Sequence, residues 1–242
     1  MKSLKGAVCV VLCLGLMCLS QSASAQFKHR WQTEMTVGIA LPSQHDYYLK
    51  EGYPSVSAVG NLGLGLRVQG QLMRHLSSWS LAGVGAEHTQ FSSMKIPDGE
   101  KIKSFDLSSS SLTLNGRVYP VGTGHRITPY LQASVSYGQV SVEHGKFTYS
   151  VDSLSRHAGD SDHPMLLHIQ FSMPEASQKS SVYGAGAVAG AEVLLNDGVG
   201  LTWQAGYHLR RTEKMELLQE NLTYWDFKFG VFLRMFKTKR FY

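Results

Sequence analysis

The chain has 242 residues, of which 43% are hydrophobic and 10% aromatic, with 24 glycines and a formal net charge of +5. A charge this small and this dispersed argues against a nucleic-acid partner, and we predict none. After residue 25 no apolar run reaches the length of about 18 residues that a transmembrane helix needs, which excludes a helical membrane span there.

The first 25 residues predict a secretory signal peptide. Lys2 and Lys5 precede an apolar run over residues 7–19, and the small residues at 23–25 form a cleavage site, so we expect cleavage after Ala25. Removal of the two lysines lowers the net charge from +5 to +3. All three cysteines lie in this leader, so we expect an exported protein without thiols or disulfides.

Eight later segments alternate between apolar and polar residues, which is the pattern of a β-strand. In the last of them Trp225, Phe227 and Phe229 share one parity, while Asp226 and Lys228 share the other. The third segment carries small residues on both faces, and its parity stays open. The predicted strands are Phe27–Leu41, Val56–Leu72, Trp79–Phe91, Phe105–Tyr119, Ile127–Val140, Val182–Leu195, Val199–Leu209 and Asn221–Phe236.

The connections between these strands alternate strictly between short and long. Outer-membrane barrels show this alternation because their periplasmic turns are short and their external loops are longer. We therefore predict an all-β fold: an eight-stranded antiparallel up-and-down transmembrane β-barrel over residues 26–236, with a periplasmic tail at 237–242. The short connections are 73–78, 120–126 and 196–198, and the long ones are 42–55, 92–104, 141–181 and 211–221.

A soluble barrel or sandwich is the alternative fold, with its apolar face turned inward. Against it, the apolar parity is large and carries tryptophans near strand ends, as expected of an aromatic girdle at a membrane interface. The polar parity holds mainly glutamine, asparagine, threonine, glycine and arginine, with few lysines. The predicted girdle consists of Trp31, Trp79, Trp203 and Trp225.

Three segments resemble the small eight-stranded outer-membrane β-barrel family, the OmpA membrane-domain and OmpX-like group. They are "ITPYLQASVSYG" (127–138), "VYGAGAVAGAEVLL" (182–195) and "WDFKFGVFLRMF" (225–236). The resemblance implies a location in the outer membrane, lipid as surroundings and insertion by the barrel-assembly machinery. One departure concerns the closing strand, whose apolar parity ends at Met235 rather than at an aromatic residue, with "KTKRFY" following.

Charged residues on the polar parity are expected to line the bore. An eight-stranded barrel is just wide enough for side chains to fill, so we predict a structural network of ion pairs, with Glu34 meeting Lys228 or Arg234. A narrow pore is the alternative. The predicted lumen network is Arg30, Glu34, Arg67, Arg117, Glu192, Asp226, Lys228 and Arg234.

Catalysis and metal binding are weaker alternatives. A lipid acyl hydrolase or transferase needs a serine, a histidine and an orienting acid in hydrogen-bond contact, and His88 and His208 lie near external strand ends. No His-x-Ser motif lies there, and we predict neither catalytic residues nor a cofactor. The segment 156–164 contains His157, Asp160, Asp162 and His163, but their spacing matches no defined metal loop, so we predict no metal.

The longest connection predicts an interaction surface. Residues 140–152 and 166–173 both alternate, and they would extend the fifth and sixth strands into a protruding hairpin with free edges. The predicted function is therefore a non-enzymatic outer-membrane protein, membrane-structural or surface-interacting, that binds an extracellular protein partner through its external loops, notably the hairpin at 140–181.

Overall fold

The computed structural model describes most of the chain from residue 29 onward. The backbone is described for residues 29–43, 47–50, 57–95, 105–123, 125–155, 165–173, 175–213 and 221–237. Side chains are described for residues 31–43, 62–94, 105–123, 125–146, 175–213 and 221–235. The predicted leader and residues 238–242 of the tail lie outside these ranges, so both remain predictions.

Eight antiparallel strands close into a barrel. The first and last strands complete it, with Trp31 pairing with Met235 and Leu41 with Trp225. The eight-stranded antiparallel barrel predicted from the sequence is confirmed. Its strands are β1 (His29–Pro42), β4 (Gly65–Ser77), β5 (Ser80–Phe91), β7 (Phe105–Val118), β8 (Ile127–His144), β11 (Ala176–Leu194), β12 (Val199–Thr212) and β13 (Leu222–Lys237).

Five further strands occur among the described residues outside this closed sheet, and all lie in the long connections. Within the same ranges, no helix is long and apolar enough to cross a membrane, a finding that does not bear on crossing by strands. The further strands are β2 (Tyr47–Lys50), β3 (Ser57–Leu62), β6 (Met94–Lys95), β9 (Phe147–Ser155) and β10 (Met165–Met173).

The barrel wall turns apolar side chains outward and polar ones inward. On β4, Leu66 and Val68 are 55% and 41% exposed. Arg67, which lies between them, and Gln69, which follows Val68, are buried. Successive residues of a strand point to opposite faces, so a single alternating segment supplies both surfaces. An apolar outer surface is stable only against lipid, while closure satisfies every backbone group of the wall.

The parity of the third predicted strand, left open by the sequence, is settled by burial along β5. Glu87 and Thr89 are buried inside the barrel, whereas Val84 is 54% exposed and His88 is exposed. The odd-numbered residues of this strand therefore line the bore.

The short connections join β4 to β5, β7 to β8 and β11 to β12. Residues 73–77, predicted as part of a turn, belong to β4, so the turn to β5 is tighter than expected. In the β7–β8 turn Gly122 has a φ of +75°, a conformation that favours glycine. In the β11–β12 turn the Asn196 side chain accepts hydrogen bonds from the backbone N–H groups of Gly198 and Val199, both at 2.9 Å.

We call the opposite end of the barrel the external end. There the β8–β11 hairpin continues far beyond the barrel. His144 pairs with Ala176, and Phe147 pairs with Met173, so both strands advance by three residues and the register is unchanged. Nine antiparallel pairs follow along β9 and β10, ending at Ser155 and Met165. Nine residues of strand extend about 30 Å. We call β9 and β10 the external arm; the hairpin predicted from the sequence is present.

Candidate functional site

Arg117 is the centre of the lower charged layer, which lies in the bore near the short turns. Its Nη1 lies 2.8 Å from Glu34 Oε2 and 2.5 Å from Glu192 Oε1. Its Nε and Nη2 donate to Gln132 Oε1 at 2.9 and 2.7 Å. Arg234 Nη2 lies 3.1 Å from Glu192 Oε2. Two arginines therefore compensate two buried carboxylates.

Two tyrosines complete this layer. The Tyr119 hydroxyl donates to Glu192 Oε1 at 2.8 Å, and the Tyr130 ring lies under the Arg117 guanidinium at 3.9 Å from its centroid. The Tyr130 hydroxyl bonds to Thr202 at 3.0 Å. Together with two aliphatic side chains the tyrosines form a buried apolar cluster that fills this end of the bore. The cluster consists of Met73, Leu81, Tyr119 and Tyr130.

Arg67 and Arg210 define the upper charged layer, nearer the external end. Both arginines form ion pairs with Glu87. Arg67 Nη1 also lies 2.7 Å from Asp226 Oδ2, and Lys228 Nζ lies 3.3 Å from the same oxygen. Buried carboxylates and cations thus alternate across the bore, which offsets the large desolvation cost of each single charge.

His208 and Tyr224 border the upper charged layer. His208 Nε2 lies 3.2 Å from Asp226 Oδ2, and its ring stacks on Tyr224 with centroids 5.2 Å apart. The Tyr224 ring also faces the guanidinium groups of Arg67 and Arg210, at 5.4 and 5.6 Å. His208 is therefore enclosed in the bore and cannot contact lipid.

Above the upper charged layer, the interior becomes apolar. A buried cluster fills the external end of the barrel, and we call it the external core. It caps the charged layers, so buried side chains occupy the bore at both ends and at both charged layers. Its members are Ala40, Leu62, Phe91, Met94, Phe105, Leu107, Val140, Val142, Val182, Leu222 and Tyr224.

Seven of the eight residues of the predicted lumen network have described side chains. The side chain of Arg30 lies outside the described residues. The other seven point into the bore and all take part in the two charged layers. They are Glu34, Arg67, Arg117, Glu192, Asp226, Lys228 and Arg234.

The pairing expected between Glu34 and Lys228 or Arg234 is wrong. Glu34 binds Arg117 across the bore and accepts a hydrogen bond from Gln204. The register explains the difference, because Lys228 pairs with Gly38, four residues along β1 from Glu34. Arg234 instead reaches Glu192. In the lower charged layer, arginines that reach across the bore therefore decide the ion pairs, rather than neighbours on adjacent strands.

Three residues in or beside the upper charged layer were not among the predicted lumen residues. Glu87 lies on the strand whose parity was open, so it was not assigned to the bore. Arg210 and His208 share the inward parity of Gln204 on β12, and that parity was the signal that could have identified them. Glu87 binds two arginines, so it is as central to its layer as Glu192 is to the other.

The four tryptophans of the predicted girdle lie at different heights. Trp31 and Trp79 lie at the short-turn end, and Trp79 is 51% exposed. Trp225 lies at the external end of β13 and is 50% exposed. Trp203 lies closer to the middle of β12, with its ring centroid 5.6 Å from that of Phe229. Their role as a girdle stays a prediction.

On the outer surface of the wall, His88 lies beside Ser110. The two residues are cross-strand partners on β5 and β7, and His88 Nδ1 lies 2.9 Å from Ser110 Oγ. Next to them Gln90 donates to Asp106 Oδ2 at 2.8 Å. His88 was a candidate from the sequence, whereas Ser110 was not predicted as its partner.

The segment considered for metal binding, 156–164, lies outside the described residues. Within the described part of the chain, no group of three or more histidine, cysteine, aspartate or glutamate side chains is arranged to hold a metal ion.

Residues 9–234 match the family described as outer membrane protein beta-barrel domain. The chain belongs to this family. Its location is therefore the outer membrane, and the apolar outer face of the barrel is the face that meets lipid. The match to a small outer-membrane barrel that the sequence suggested is confirmed, while the cleavage site after Ala25 is still a prediction.

Solved outer-membrane barrels resemble the chain only distantly. Neisserial surface protein A is 14% identical over 85% of this chain and 97% of its own, with a TM-score of 0.45. OprG from Pseudomonas aeruginosa is 13% identical over 88% and 99%, with a TM-score of 0.49. The outer membrane protease OmpT from Escherichia coli is 7% identical over 88% and 99%, with a TM-score of 0.45. No curated protein sequence is detectably similar to the chain.

Proposed function

We propose that this protein is a non-enzymatic surface-interaction barrel whose external arm binds an extracellular protein partner by strand addition. One observation carries the proposal: β9 and β10 form nine antiparallel pairs and, within the described residues, pair only with each other. Each strand of such a ribbon keeps one edge of unpaired N–H and C=O groups. Free edges of this kind accept an extended segment of another chain.

The barrel supports this role as a rigid base. Nine of the eleven residues of the external core lie on barrel strands, and the two charged layers connect these strands deeper in the bore. A two-stranded hairpin is marginally stable alone. The arm continues β8 and β11, which are already ordered in the wall. Its first residue pair follows their register, so most of the entropy cost of starting the arm is removed.

The test uses a strand as a probe. A synthetic peptide with the β10 sequence, "MLLHIQFSM", is titrated against the folded barrel and against a variant in which residues 147–173 are replaced by an Asn-Gly turn. We expect the complete barrel to bind the peptide and the shortened one not to bind it. A peptide N-methylated at alternate residues is the matched control, since it lacks the donors of one edge. Equal behaviour of the two barrels, or no binding by either, would leave only a membrane-structural role.

A closed bore is part of the same proposal. Buried side chains of the two charged layers and of the clusters at both ends occupy the interior, which supports a barrel that does not conduct. We expect no discrete channel openings from the purified protein in planar bilayers. Regular single-channel currents that vanish on removal of the protein would instead favour the narrow pore.

A lipid acyl hydrolase is the second candidate, favoured by the contact between His88 and Ser110 on the exposed face. Among the described residues Ser110 is the one hydrogen-bond partner of His88, so the acid that would orient the histidine is missing from the pair. We expect no release of fatty acid when the barrel is incubated in outer-membrane lipid. Release that both Ser110→Ala and His88→Ala abolish would assign the enzyme instead.

A further inference from the structure

The His88–Ser110 pair interrupts an apolar surface. On β4, the cross-strand partner of His88 is Val68. The apolar column continues to Leu66 on that strand and to Leu64 just before it, which are 55% and 64% exposed. The outer face of β5 and β7 therefore turns polar at His88 and Ser110. Beside it, the outer face of the β4 segment stays apolar for two more outward residues toward the external end. We call it, with Gln90 and Ser108 directly above it, the polar notch.

The notch is also bounded from below. The outward residue that precedes Ser110 toward the membrane is Leu112, which is 73% exposed, and its partner on β8 is Tyr137, which is 65% exposed. His88 and Ser110 thus border lipid on the β4 side and on the side of the bilayer centre. They lie where acyl chains meet the polar part of the leaflet.

Polar groups that face hydrocarbon are costly unless they find partners. A single hydrogen bond, between His88 Nδ1 and Ser110 Oγ, joins the two side chains. The second ring nitrogen of His88 and the remaining capacity of the Ser110 hydroxyl point to a partner from outside the chain. We infer that the polar notch binds the head region of an outer-leaflet glycolipid, through hydrogen bonds to its sugar hydroxyls and acyl ester carbonyls.

The surroundings of the notch favour a sugar over a phosphate. Ser110 pairs in register with Gln139, and Ser108 pairs with Ser141, so neutral donors and acceptors extend around the wall. The next outward pair is Asp106 with Glu143, two carboxylates that repel an anion. These features distinguish the notch from the arginine-rich and lysine-rich sites that select phosphate.

The experiment measures lipid retention. The folded barrel is placed in nanodiscs of phosphatidylcholine that contain equal small amounts of monogalactosyldiacylglycerol and phosphatidylglycerol, and retained lipids are counted by native mass spectrometry. We expect the galactolipid to be retained about fivefold over phosphatidylglycerol, the effect of roughly one net hydrogen bond. Ser110→Ala and His88→Leu should each remove most of this preference.

Thr223→Val is the matched control, because Thr223 lies on β13 at the external boundary, bonded to Ser43 at 2.5 Å, away from the notch. This variant should keep the preference. A preference that survives in both notch variants would overturn the assignment, and so would its loss in the control. Stronger retention of phosphatidylglycerol that depends on His88 would overturn the sugar and show a phosphate site. The heat-induced gel shift of each folded barrel verifies that the variants remain intact.

Discussion

The membrane section of the wall and its external section use the same strands with opposite polarity. On β7, Leu112 faces outward and is 73% exposed, whereas Leu107, nearer the external end, faces inward and is fully buried. On β8, Tyr137 faces lipid, while Val142 belongs to the external core. Each section places apolar side chains away from water: outward where lipid surrounds the wall, and inward where water does.

The switch takes place within a short run of serines. Ser108 and Ser110 point outward, and Ser109 and Ser111 point inward, so both faces of β7 are small and polar at this level. Below the run the leucines have even numbers, and above it Leu107 and Phe105 have odd numbers. The strand keeps its register with β8 throughout. A change of parity in the apolar residues therefore marks the water boundary rather than a bulge.

The largest expected effect lies in the membrane section, at the lower charged layer. Arg117→Met would leave Glu34 without its cation and Glu192 with Arg234 alone. Removing one partner from a buried ion pair costs about 3–5 kcal/mol. We expect a matching loss in the free energy of unfolding, measured as the urea midpoint of the gel-mobility shift in detergent micelles. Arg211→Met, on the exposed face of β12, is the control and should barely move the midpoint. Equal midpoints for both variants would remove the structural role of the layer.

The second prediction compares the membrane section and the external section on one strand, β7. Leu107→Ala deletes buried volume from the external core and should cost about 2–5 kcal/mol, as for other fully buried leucines. Leu112→Ala should cost clearly less, because lipid chains can fill the space that the shorter side chain leaves. For this comparison both variants are unfolded by urea in liposomes of one lipid composition, and the gel-mobility shift again reports the midpoint. A larger loss for Leu112→Ala would mean that the external core is not a packed core.

The sequence sufficed for the architecture because the wall is built from local patterns. Alternation located the eight barrel strands, and loop length marked the two ends of the barrel. The second predicted strand, Val56–Leu72, was too long, because residues 57–62 form β3 outside the barrel. The inward position of Arg67, Arg117 and Asp226 follows from parity alone. These properties depend on neighbours two residues apart in the chain.

What the sequence could not supply depends on contacts across the bore. The partner of Glu34 is set by how far Arg117 reaches from the opposite wall, and Glu87 was missed because glycines and alanines blur the parity of β5. The external core escaped notice because its residues belong to the same alternating runs. The placement of Ser110 next to His88 required the register between β5 and β7, because the two residues are 22 apart in sequence.

The smallest expected effect concerns the outer surface, where a new charge reports on the surrounding medium. Val231 lies mid-way along the apolar column of β13 and is 46% exposed, so Val231→Arg should cost about 2–4 kcal/mol near the bilayer midplane. Ser141→Arg places the same side chain on the outer face of β8, level with Ser108 at the external end of the serine run, and its cost should stay within about 0.5 kcal/mol. Both substitutions point away from the bore, so packing inside the barrel is unchanged.

If Ser141→Arg were as costly as Val231→Arg, lipid would reach the external section and the two sections would share one solvent. A small cost for both would place Val231 in water, and the apolar face of β13 would lose its role as the lipid-facing surface.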